Sequence, residues 1–308
     1  MIRVTFLGTS ASRPTVGRNV SSIVLNREGE LLMFDCGEGT QRQMMRYGTG
    51  FSLDDIFFTH LHADHFLGVI GLLRTMGLQG RQNPMRLWSP PRGASILREA
   101  VHLGVERVPF DIAIEELAPA DRVRRDDYDV VAFATRHGTG SLGYALLEHE
   151  RKGRFNPDRA RELGVPEGPL FGQLHRGEAV NVDGRIVRPE DVVGAPRPGR
   201  SVVYTGDTRP VRETVDIARG ADLLIHDATF GEDEAERART TGHSTAREAA
   251  SVAQQAGVRR LCLTHISSRY AESPRDLERE AREVFRETVV AWDGYEVEVP
   301  YRDDDADA

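Results

Sequence analysis

Short apolar runs broken by glycine-rich turns recur along the chain, and stretches with helical spacing lie between them. IRVTFLG, SSIVLN and ELLMFDCG read as consecutive strands of a meander. DDIFFTH is a further strand, ending at His60. After it, HFLGVIGLLRTMGL repeats its apolar residues at helical spacing. MRLWSP predicts a strand and SILREAVHLGV a helix. DYDVVAFATRHGTGSLGYALLEH predicts two strands around a turn at 137–141. RSVVYTGD, ADLLIHDATF and RRLCLTH resume the strand-turn rhythm. They are separated by the helix STAREAASVAQQAG, whose Thr245 and Glu248 stand at capping-box spacing.

One pattern repeats: an apolar strand delivers a histidine or aspartate at its C-terminal end. His60, Asp207 and His265 follow such runs, and His137 lies at a strand-turn-strand tip. Strand ends gathered along one edge make a rigid rim for a metal site. The predicted architecture is α/β, an αββα sandwich of two sheets with helices outside, as one domain over 1–300. Residues 151–180, rich in glycine, proline and arginine, break the rhythm and read as an insertion projecting from the body, bounded at 150–180. Residues 301–308 read as an acidic, disordered tail.

Composition narrows the classes. With 39% apolar residues the 308-residue chain can form a substantial core, and no run approaches a membrane span. The N-terminus, MIRVTFLGTSASRP, lacks a charged region followed by a signal-length apolar core, so a cytoplasmic location is expected. Cys36 and Cys262 sit in separate apolar runs, which predicts buried thiols rather than a disulfide. A net charge of −8 argues against binding nucleic acid over the whole surface and confines any such contact to local basic patches. Lys152 is the only lysine; the arginine bias suggests a GC-rich genome or a salt-adapted host.

The strongest chemical signal is HLHADH, from His60 to His65. In an extended loop, His60 and His62 point to the same side and can hold one ion. Asp64 and His65, as the next helix begins, can turn toward a second. Imidazole and carboxylate are the ligands zinc accepts when cysteine is absent. A solvated polar loop is the alternative, but histidines so dense after a buried strand would repel one another without return.

This hexapeptide, followed by distant His137, Asp207 and His265, resembles the HxHxDH…H…D…H pattern of the metallo-β-lactamase superfamily. That resemblance implies two Zn²⁺ per subunit, with His60, His62 and His137 on the first, Asp64, His65 and His265 on the second, and Asp207 bridging. Asp64 would also hold the attacking water and accept its proton. His243, in GHST, is the candidate donor to the leaving oxygen, oriented by Asp227 in HDAT, while the adjacent His226 faces the core.

The superfamily includes β-lactamases, thioesterases, lactonases and nucleases, so the metal pattern leaves the substrate open. FLGTSASRPTVGRN, FDCGEGTQRQ, FTHLHADHFLG, TGDTRP, HDATF, GHSTAREAA and LTHISSRY together resemble the ribonuclease Z family (tRNase Z, short form) over all but the acidic tail. The resemblance implies an endoribonuclease that cuts precursor tRNA after the discriminator base. The products would be a 3′-hydroxyl on the tRNA and a 5′-phosphate on the trailer. It also implies a homodimer whose insertion is a tRNA-binding arm, with Arg151, Lys152, Arg154 and the Gly168–Pro169 step as contacts. With six Lys/Arg against five Asp/Glu over 150–180, such an arm would read RNA shape more than charge. Arg18 and Asn19 are candidates to meet phosphate or base, and Arg269 with Tyr270 to hold phosphate or stack a base.

The chain departs from the family pattern at Val16, where a basic residue is usual, and at Asp227, where the shorter side chain threatens the link to His243. The helix around 67–78 fits an interface or the core equally well. A small-molecule hydrolase, or an RNA-binding protein with a degenerate site, remains open from the residues alone, as does manganese in place of zinc.

Overall fold

The apolar runs pair into two seven-stranded sheets, seen here in a computed structural model that describes residues 1–302 apart from 106 and 272. The first sheet runs, in spatial order, Glu296–Val299, Ile2–Gly8, Ser22–Arg27, Glu30–Cys36, Leu53–Phe57, Met85–Ser89 and Ile112–Glu116. Its meander half is antiparallel and the rest parallel. Glu28 (φ 53°) and Gly29 (φ 103°) form a two-residue hairpin turn, which requires both in the left-handed region. The second sheet runs Thr288–Val290, Leu261–Thr264, Leu223–Asp227, Ser201–Tyr204, Leu142–Glu148, Tyr128–Ala134 and Arg122–Arg124, with its first four strands parallel.

The inner faces of both sheets share one apolar core. At its centre Phe57 stacks on Phe34 and Trp88 from the first sheet, with centroids 5.4 and 5.8 Å away, and meets the edge of Tyr144 from the second at 5.3 Å. Helices Thr40–Tyr47, Gly68–Leu78 and Ala94–His102 cover the outer face of the first sheet. Arg212–Ile217, Ala246–Ala256 and Pro274–Arg282 lie on the second-sheet side. This is the expected αββα sandwich.

Ala246, Ala249, Ala250, Ala253 and Ala256 form the buried face of their helix, so its backbone lies close to the sheet. The capping box forms, with Thr245 accepting from the Glu248 N–H and Glu248 from the Thr245 N–H. Both cysteines are buried free thiols. Among the described residues no helix is long and apolar enough to cross a membrane. In Gly68–Leu78, Val69, Leu72, Leu73 and Met76 belong to the core, while Leu67 and Leu78 stay exposed.

Residues Glu148–Gly199 form a second compact unit with a small core of Ala160, Leu163, Val165, Leu174, Val180, Val187 and Val192. It holds helices Pro157–Glu162 and Pro169–Arg176 and the hairpin Val180–Val182/Arg185–Val187. Asn156 caps the first helix and Gly168–Pro169 opens the second. The unit runs past the expected boundary at 180 because Val187 and Val192 complete its core, and because the backbones of Arg151 and Arg197 pair. The tail reading also needs correction at its start. Arg302 reaches Asp222 (2.9 Å) and the Arg200 guanidinium lies 3.9 Å over the Tyr301 ring. Residues 303–308 lie outside the described residues.

Candidate active site

The C-terminal ends of strands from both sheets bring the predicted residues to one rim. His60 follows Leu53–Phe57, and Asp64 and His65 lie on the short helix Ala63–Phe66. His137 follows Tyr128–Ala134, Asp207 follows Ser201–Tyr204, and His265 follows Leu261–Thr264. His60, His62, His137 and Asp207 present ligand atoms within 4.8 Å of one another, and so do Asp64, His65 and His265. Asp207 lies between the two groups. Its Oδ2 is 3.6 Å from His60 Nε2, 3.8 Å from His137 Nε2 and 3.3 Å from His265 Nε2, while its Oδ1 is 3.3 Å from His65 Nε2.

The far side of most imidazoles is fixed by a hydrogen bond that turns the other nitrogen inward. His65 Nδ1 donates to Asp35 (2.9 Å), and His137 Nδ1 donates to the Gly242 carbonyl (3.0 Å). Thr59 donates its hydroxyl proton to Asp35 and is left to accept from His60 Nδ1 at 3.1 Å. Thr229 likewise donates to Asp227 and accepts from His265 Nδ1 at 2.8 Å. Such outer partners set tautomer and ring direction in histidine metal sites. Gly206, before Asp207, has φ 59°, and a Cβ there would lie 2.7 Å from the Thr59 side chain, so only glycine fits.

The donor set fits metal ions and little else. His62 Nδ1 lies 3.1 Å from His60 Nε2 and 3.2 Å from His137 Nε2, three nitrogens crowded onto one point. His65 Nε2 and Asp207 Oδ1 are buried and neither has a hydrogen-bond partner of proper geometry. Buried polar atoms are rarely left so. Burial and neighbouring histidines hold the His60 pKa well below normal. At His65 burial acts the same way, but Asp207 and Asp35 outweigh it and raise the pKa. Burial opposes ionisation of Asp207, yet His265 and His65 keep it well below the usual carboxylate range. Asp64 is held down against burial by His265 and His65, and it also accepts from the Ser12 N–H at 2.8 Å. These buried His/Asp clusters are consistent with a binuclear metal site.

His243 stands beside them. Its Nδ1 donates to Asp227 Oδ2 at 2.9 Å, so the shorter aspartate keeps the link that its length put in question. Burial disfavours the His243 cation, but Asp227 prevails and lifts its pKa to about 9. The ring stacks on His265, centroids 5.1 Å apart. His226 is fully buried and turned away, its Nδ1 on the Asp227 carbonyl.

Residues 15–146 match the family model described as metallo-beta-lactamase superfamily, and 192–266 match that of the beta-lactamase superfamily domain. The chain is 59% identical over 307 residues to ribonuclease Z of Gemmatimonas aurantiaca, covering 99% of this chain and 98% of that protein. The chain belongs to the ribonuclease Z family. To ribonuclease Z of Haloferax volcanii it is 55% identical, with 99% and 97% covered. The crystal structure of human tRNase Z, short form, superposes with a TM-score of 0.71 at 28% identity, over 97% of this chain and 99% of that one.

Within this ribonuclease Z family member, the residues expected to meet substrate divide. Arg18 is largely buried, its guanidinium donating to Thr9 Oγ1 (2.7 Å) and the Ala291 carbonyl (2.6 Å), and it lines a cavity with Arg275 and Trp292. Asn19 is half-buried, with its amide on the Glu38 carbonyl. Val16 is fully exposed at the loop tip. Arg269 pairs with Glu234 (3.3 Å) and lines a cavity with His243. The Tyr270 hydroxyl is engaged by Asp233 and the Gly231 N–H, so its hydroxyl is tied to local packing. Arg151, Lys152 and Arg154 lie in the second unit, where the Lys152 ammonium rests on the His175 and Arg176 carbonyls.

Two residues escaped the sequence reading. Asp35 looked like an ordinary strand end, though a carboxylate inside the apolar run LLMFDC needs buried partners, and that was its signal. Arg13 gave no signal of its own.

Proposed function

We infer that this protein is the endoribonuclease that removes the 3′ trailer of precursor tRNA, cutting after the discriminator nucleotide and leaving a tRNA 3′-hydroxyl and a trailer 5′-phosphate. One observation carries the reading: the His/Asp array with its His243–Asp227 pair lies in a chain that matches ribonucleases Z from end to end. His60, His62 and His137 would hold one zinc ion and Asp64, His65 and His265 a second, with Asp207 common to both. Bound there, the ions supply Lewis acidity toward water and phosphate oxygen.

The chain's own groups do the rest. Asp64, steadied by the Ser12 N–H, orients water and takes its proton. Asp227 fixes His243 through Nδ1, which leaves Nε2 to deliver a proton to the leaving 3′-oxygen.

The unit Glu148–Gly199 serves as the tRNA-binding arm in this reading, with Arg151, Lys152, Arg154 and the Gly168–Pro169 helix start as its contacts. Its independent small core supports a rigid recognition element over a floppy loop. A homodimer is part of the same reading, and exposed Met45, Leu67 and Leu78 offer apolar surface for it. The deciding experiment incubates zinc-loaded protein with a 3′-extended tRNA transcript and maps both product ends. Cleavage elsewhere than after the discriminator, or a 2′,3′-cyclic end, would refute the assignment.

A further inference from the structure

A cavity of about 480 Å³ opens beside His243, lined also by Arg13, Arg237, Thr241, Ser268 and Arg269, and no acidic residue lines it. Arg13 and Arg237 are exposed, and neither forms an ion pair among the described residues. What sets these two apart is the cavity they share with His243. On the same helix as Arg237, Arg239 pairs with Glu236, and Arg247 on the next pairs with Glu283. The Arg13 guanidinium only touches Ser268 Oγ, at 3.2 Å. An anion entering this cavity meets two guanidiniums with no carboxylate partner of their own.

Both arginines sit on segments tied to the reacting groups. Ser12, the residue before Arg13, holds Asp64 through its N–H at 2.8 Å. The helix Ala235–Thr241 carrying Arg237 runs into Gly242, whose carbonyl fixes His137, and then into His243. The cavity is therefore set relative to the scissile position.

We propose that Arg13 and Arg237 clamp the substrate phosphate immediately upstream of the scissile bond. This rests on the function inferred above. If His243 protonates the leaving 3′-oxygen, the nucleoside carrying that oxygen lies on the His243 side, and its 5′-phosphate is the next anion along the strand. Guanidinium forks match phosphate oxygens in pairs, and the Ser268 hydroxyl, which accepts from Arg13, keeps its own proton to donate. The clamp makes an upstream nucleotide part of recognition, so a phosphodiester without one forgoes this contact.

The test uses full-length, zinc-loaded protein and a 3′-extended tRNA with a single neutral methylphosphonate at the phosphate 5′ to the discriminator nucleotide. Wild type should lose about tenfold or more in kcat/KM on this substrate relative to the all-phosphate one, the worth of a charge-assisted contact. The R13Q/R237Q variant, checked for metal content and melting temperature, should show a difference of no more than about twofold. Equal penalties in variant and wild type overturn the clamp, as does a wild type indifferent to the neutral group. So does a variant that loses its sensitivity only when the phosphate 3′ to the scissile bond is neutralised. Failure of wild type to cut even the all-phosphate precursor overturns the function beneath it instead, and the clamp with it.

Discussion

Asp35 accepts the Nδ1 proton of His65 at 2.9 Å inside a site where neither side chain is exposed. The same carboxylate takes the Tyr204 hydroxyl at 2.8 Å and the Thr59 N–H at 2.8 Å. It thereby orients two of the inferred zinc ligands, His65 directly and His60 through Thr59. Asp35→Asn keeps the shape and removes the charge. Its zinc affinity, measured by chelator competition, should fall by about 10–100-fold. Unchanged affinity would mean that the hydrogen bond only packs.

His243 touches no inferred zinc ligand through a short hydrogen bond, and its Nδ1 belongs to Asp227. His243→Ala should therefore retain bound zinc, measured by atomic emission. Its single-turnover rate on precursor tRNA should drop by about 10²–10⁴-fold, the usual worth of a positioned proton donor. A large loss of metal in this variant would move His243 from catalysis to assembly.

Crowded imidazole nitrogens at 3.1 and 3.2 Å destabilise the metal-free chain. Zinc removal by a chelator should lower the melting temperature, and zinc titrated back should raise it steadily with concentration, as for any ligand that binds the folded state alone. A melting temperature indifferent to zinc would contradict the site.

Gly206→Ala puts a methyl 2.7 Å from Thr59 at a φ of 59°. Denaturant unfolding should show a loss of about 1–3 kcal/mol, with weaker zinc binding because Thr59 orients His60. Stability equal to wild type would show that the strand end has room to yield.

Replacing Glu148–Gly199 by a short linker removes a unit with its own core. The remaining chain should still hydrolyse a small phosphodiester such as bis(p-nitrophenyl) phosphate, while its KM for precursor tRNA rises by about tenfold or more, the worth of at least one charge-assisted contact. An unchanged KM would remove the arm from recognition.

The His/Asp array was legible because HLHADH packs four of its side chains into one short stretch, and because His137, Asp207 and His265 each end or follow an apolar strand. Helix Ala246–Ala256 was equally plain from its capping box and alanine face. Asp35 was hidden because a single buried carboxylate at a strand end looks like a turn residue until its three partners, Thr59, His65 and Tyr204, are placed. Arg18 could not be placed from sequence because it follows the exposed Val16 and Gly17, while its long side chain turns inward to the Ala291 carbonyl. The end of the second unit was missed because Val187 and Val192 stand in apolar pairs, Ile186–Val187 and Val192–Val193, too short to mark an element, and only their packing shows that they belong to it.

Donors that stand near His60 in one half of the chain and at Asp207 and His265 in the other meet only once both sheets have closed. A nascent polypeptide can offer a passing ion no more than the local histidines, a weak and indiscriminate grip. With the zinc pair inferred above, selective metal capture would be a late event in maturation, performed by the finished fold, and chains starved of zinc should accumulate as assembled but idle molecules that later supply can rescue.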